Sequence, residues 1–92
     1  METLTVVDGY SKGKVTGTYR NPSTVEEMRT WCENHSHITA LDVRGQSRTV
    51  KVNGRVRTWK RDPNRIEVPY KYGLYEYGTF TADDIHRILI PV

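Results

Sequence analysis

The stretch "RIEVPYKY", residues 65–72, alternates without a fault. A period of two fits an extended strand and no helix, so Ile66, Val68, Tyr70 and Tyr72 share one face while Arg65, Glu67, Pro69 and Lys71 share the other. One side is core and the other is wet, the pattern of an antiparallel sheet covered on a single side. Pro69 has no N–H for a ladder, which predicts either an edge strand or a neighbour that is incomplete on one side.

Other segments add to a β-rich plan. "TLTVVDGYSKGKVTGTYR" predicts a hairpin with strands near Leu4–Val7 and Lys14–Tyr19 around the glycines at 9 and 13. "ITALDVR" predicts a strand. Asn53-Gly54 lies between two β-rich runs and predicts a hairpin over Ser47–Arg61 with a two-residue type I′ turn, in which both central residues need positive φ. Its base would pack through Val50 and Trp59, with the tip at Arg55 standing out in solvent. Gly73 and Gly78 bracket "LYEY", a predicted tight bend and short strand, and "ILIPV" closes the chain as a strand.

One segment has helical signals instead. Ser23 is a suitable N-cap and Glu26 completes an S-x-x-E box, opening a helix over about 23–34. Val25, Met28 and Cys32 form its apolar stripe, with Trp31 beside them. Thr81 with Asp84 offers a second capping pattern, for a short helical turn ending near Arg87.

These elements predict an α+β fold in a single domain, residues 1–92: a small, strongly bent antiparallel sheet with one capped helix. From Ile38 to Val92 the element order resembles that of SH3-like small barrels, and five-stranded OB-like barrels fit nearly as well. That resemblance implies a partial barrel with the helix against one open end or face.

The chain of 92 residues is 36% hydrophobic and 27% charged, values of a globular rather than a disordered chain. No apolar run approaches the ~20 residues that span a bilayer. The first residues lack a basic stretch followed by an apolar one, so no secretory signal is predicted. With Cys32 as the single cysteine, no internal disulfide can form, and a reducing, cytoplasmic setting is the expectation.

Charge is distributed unevenly. Arg44, Arg48, Lys51, Arg55, Arg57, Lys60 and Arg61 fall within residues 43–61, a segment without a carboxylate; the rest of the chain has seven basic and 11 acidic residues. A weakly acidic body with one basic element steers anionic partners to one side. The predicted function is therefore a non-enzymatic binding module that contacts phosphates of DNA or RNA through the basic hairpin, with Tyr75 and Tyr77 as stacking groups. The alternative is a protein-binding accessory module, an inhibitor or adaptor of the kind phages and mobile elements encode, that sets the same residues against an acidic protein surface. A solvated edge kept soluble by its charge is the plainest reading of the same residues.

Catalytic and metal signatures are weak. Cys32, His35 and His37, with Asp84 or His86, make one loose cluster where structural zinc sites show paired ligands, so no metal and no cofactor is expected. Cys32 falls on the apolar stripe, where a thiol is inert. Asp83 and Asp84 beside His86 are explained by capping. The sequence has no phosphate-binding glycine loop, nucleophile elbow or H-E-x-x-H pattern, and no enzyme activity is predicted.

Overall fold

The computed structural model describes residues 4–8 and 14–92, with side chains from Gly17 onward. The strands are β1 (Leu4–Asp8), β2 (Lys14–Arg20), β3 (His37–Leu41), β4 (Ser47–Val52), β5 (Arg57–Thr58), β6 (Ile66–Tyr72), β7 (Glu76–Thr81) and β8 (Ile88–Pro91). The helix α1 spans Val25–Asn34, and a 3-10 helix spans Ala82–Arg87. The turn expected around Gly9–Gly13 lies outside the described residues. No helix among the described residues is long and apolar enough to cross a membrane.

All strand pairs are antiparallel, in the order β1-β2-β8-β3-β4-β6-β5, with β7 on the other side of β6. The fold is α+β and the sheet is open. Among the described residues β1 and β7 do not pair, so the strands do not close into a barrel.

β6 has the two faces its alternation demands. Ile66 and Val68 are fully buried, and Tyr70 and Tyr72 pack against the same core. Met28 and Cys32 of α1 meet Ile38, Ala40, Val50, Phe80 and Ile88 there. Tyr70 stacks on Phe80 with ring centroids 4.3 Å apart. It lies so close to Gly78 on β7 that a Cβ at that position would sit 2.7 Å from Tyr70 Cε1.

One expectation about β4 and one about β3 fail. The chain does not form a hairpin over Ser47–Arg61, because β4 and β5 do not pair with each other. Both lie along the same side of β6, end to end: Lys51 and Val52 stand opposite Lys71 and Tyr70, and Arg57 and Thr58 opposite Glu67 and Ile66. Asn53 donates its N–H to the Pro69 carbonyl at 2.9 Å rather than opening a two-residue turn, and Gly54 has φ 115°. A self-paired hairpin would have had no clean apolar face. Pairing β4 with β3 and β6 instead places Val50 in the core, and that burial outweighs the local turn preference.

The strand expected to run from Ile38 through Arg44 also ends early. Asp42 accepts N–H donors from Arg44 and Gln46 at 2.8 and 2.9 Å, and Gly45 takes φ 78°. This aspartate-closed turn is the real hairpin connection, between β3 and β4. Pro69 occupies an interior strand, at the gap where β4 stops and β5 has yet to begin, which is the incomplete-neighbour arrangement.

The helix cap is shifted by one residue from the expected Ser23. Thr24 is the N-cap, and its Oγ1 accepts the Glu27 N–H at 3.0 Å. Glu27 Oε1 in turn accepts from the Ser23 N–H at 2.7 Å. Glu27 is held in this register by Arg20, whose guanidinium donates to both carboxylate oxygens. Glu26 is left at the surface, paired with Arg29 at 2.6 Å. The Thr81–Asp84 cap forms as expected, with Asp84 accepting from the Thr81 N–H at 2.8 Å.

Candidate functional site

Register assigns side chains to the two faces of the sheet. The inner face carries most of the core and is covered by α1, while Leu89 of β8, which register places on the outer face beside Thr39, is also fully buried. On the outer face, His37, Lys51, Lys71 and Tyr77 stand in one row across β3, β4, β6 and β7. Lys51 and Tyr77 are exposed and Lys71 is half-buried, its Nζ 5.5 Å from the centre of the Tyr77 ring. Neither lysine has a carboxylate within ion-pair distance among the described residues.

Two rows further along β6, Arg57 stands opposite Glu67, which stands opposite Thr81. Trp59 follows, its N–H bonded to the Arg65 carbonyl at 3.1 Å. The Trp59 ring is 46% exposed. The Arg65 guanidinium lies 4.2 Å over it, and its Nε1 donates to Glu67 Oε1 at 3.3 Å. Glu67 is the single carboxylate that register places on this face from β3 to β7. Charge on the face is therefore positive, and its two large aromatic rings each have a cation beside them.

The seven basic residues singled out in the sequence do not share one surface. Lys51 and Arg57 lie on the outer face. Lys60 and Arg61 are exposed in the turn after Trp59, Arg44 is exposed in the β3–β4 turn, and Arg55 is exposed between β4 and β5. Arg48 is not free. It points to the inner side of β4, donates to Glu76 at 3.2 Å and to Asp42 at 3.5 Å, and lies 4.5 Å over Tyr72. The Gln46 N–H, with that of Arg44 and the charge of Arg48, holds the Asp42 carboxyl below its ordinary range.

Of the tyrosines, Tyr77 is 60% exposed on the outer face and Tyr75 is 91% exposed at the tip of the β6–β7 turn, beside Leu74. Lys71, Trp59 and Arg65 were missed as site residues. Lys71 was legible, since it lies on the wet side of the β6 alternation. Trp59 was not: expected to pack in the base of a hairpin, it instead lies exposed on the outer face, because its place follows from the pairing of β5 with β6.

The remaining chemical clusters separate in space. Cys32 is buried, and that burial, with Glu33 nearby, pushes its thiol up to about 11. The His35 ring stacks on Trp31 at 3.7 Å, and His37 stands on the outer face. Among the described residues no three His, Cys, Asp or Glu side chains gather as metal ligands. Asp84 is engaged by Thr81 and Arg87. A groove of about 440 Å³ between the end of α1 and residues 52–56 is lined by Glu33, His35 and Arg55 among others.

The chain matches no known family model, and no curated protein or solved structure matches it.

Proposed function

We propose that this chain is a small non-enzymatic module that binds nucleic acid through phosphate contacts. The observation that carries the reading is the placement of Lys51 directly opposite Lys71 on adjacent strands. Like charges in that position destabilise a sheet, by about 0.2–1 kcal/mol. An anionic partner turns the same pair into two adjacent phosphate contacts. Arg57 extends the positive face, and Lys60 and Arg61 are exposed in the turn that follows Trp59. The single cysteine, buried as a thiol, suits a reducing cytoplasm.

The test is a titration of the protein against a labelled random duplex and a labelled single strand at several salt concentrations. Binding should weaken with salt, and Lys51→Ala and Lys71→Ala should each lower the magnitude of the log K versus log salt slope by about 0.7–0.9. No binding to either probe at low salt refutes the proposal.

A second reading is supported by the apolar tip of the β6–β7 turn. Leu74 is 74% exposed next to Tyr75, a surface better suited to a protein than to phosphates. An acidic protein partner would be retained in a pull-down after nuclease treatment; a nucleic-acid partner would be lost.

A further inference from the structure

We infer that the outer face selects single-stranded over duplex nucleic acid, with Trp59 and Tyr77 as its stacking platforms. This rests on the nucleic-acid reading above and names the form of the ligand. Duplex readout through a groove needs a protruding element, and the expected ribbon is absent because β4 and β5 lie end to end. What the sheet offers instead is a surface with ring faces on it. The bases of a duplex are stacked on one another, so an aromatic ring on a sheet can stack only on a base that is unpaired.

Both rings have a cation beside them. Trp59 is fixed by its indole N–H bond to Glu67 and by the Arg65 guanidinium 4.2 Å over one side of the ring. Tyr77 is flanked by Lys71. Each platform thus pairs a π surface with a cation that can meet the adjoining phosphate. Trp59 stands across from Arg65 and Tyr77 across from Lys71. Along the strand that separation is about 20 Å at ~3.3 Å per residue. A strand lying between the rings passes Arg57 and then Lys51 with Lys71. The spacing far exceeds the ~3.4 Å base step of a duplex strand, so the rings engage separate nucleotides of an extended chain rather than neighbours in a stack.

The probes are a labelled oligothymidylate, the same oligomer with abasic sites throughout, and a labelled duplex of equal length. At low salt the oligothymidylate should bind at least about tenfold more tightly than the duplex. Trp59→Ala and Tyr77→Ala should each weaken oligothymidylate binding roughly 5- to 150-fold and leave duplex binding unchanged, and Tyr77→Phe should retain the affinity. The abasic oligomer, which tests stacking without altering the protein, should bind as weakly as the duplex. Equal affinity for the abasic and normal oligomers, or duplex binding as tight as single-strand binding, overturns this inference and leaves the phosphate-binding proposal standing. No binding to any probe overturns both.

Discussion

The guanidinium of Arg20 grips both carboxylate oxygens of Glu27, each at 2.7 Å, and so ties the end of β2 to the first turn of α1. The hydrogen bonds from Arg20, reinforced by the Ser23 N–H, bring the Glu27 carboxyl down from its ordinary 4.5 to about 2. A carboxylate whose folded-state value is depressed contributes stability that is fully present above its unfolded value. That contribution is lost as pH falls through the folded value. Acid should therefore loosen this joint between pH 4.5 and about 2. Glu27→Gln should lower stability at neutral pH and flatten that part of the profile. Thermal melts of both proteins across this range check it, and parallel profiles would contradict the assignment.

The cap makes a separate prediction. Thr24→Ala removes the oxygen that accepts the Glu27 N–H and should cost about 1 kcal/mol. Ser23 contributes to the cap through its backbone N–H, so Ser23→Ala should change stability by less than about 0.5 kcal/mol. Urea unfolding of the two variants distinguishes them, and a larger loss from Ser23 would return the cap to that residue.

Tyr70 and Gly78 form one packing unit. Gly78→Ala drives a methyl group into the Tyr70 ring and pushes it off Phe80, at a cost of about 1–3 kcal/mol. Combining it with Tyr70→Val opens room for the methyl, so the double variant should lose less than the sum of the two single losses. Strict additivity in denaturant melts would show that the ring moves aside freely.

Lys51 couples stability to binding with opposite signs. Lys51→Thr relieves the cross-strand repulsion with Lys71 and should raise stability by about 0.2–1 kcal/mol at low salt. Added salt should shrink that gain, because it screens exposed charges. The same change should weaken nucleic-acid binding. A variant that is less stable than the parent at low salt would show that Lys51 is held by attraction.

Local chemistry was sufficient for several elements. The alternation from Arg65 to Lys71 assigned both faces of β6, and the Val25–Met28–Cys32 stripe assigned the buried side of α1. Cap position was legible only to within one residue, because Ser23 and Thr24 both carry a hydroxyl oxygen able to accept a helix N–H and both have a glutamate three positions on. Arg20 settled the choice from seven residues upstream, by a contact that no window on the helix itself contains.

Which residues share a surface was decided by the tertiary structure. A run of amino acids determines that β4 is a strand, and its parity determines that Lys51 and Val50 face opposite ways. Its partner is a non-local choice, made by the apolar area that Val50 buries between β3 and β6. That choice split the basic segment, turned Arg48 inward against Asp42 and Glu76, and set Lys51 opposite Lys71. Charge and strand parity are properties of the chain in sequence order. The charged, aromatic face is a property of strand pairing, because side chains far apart in sequence become neighbours only across a ladder.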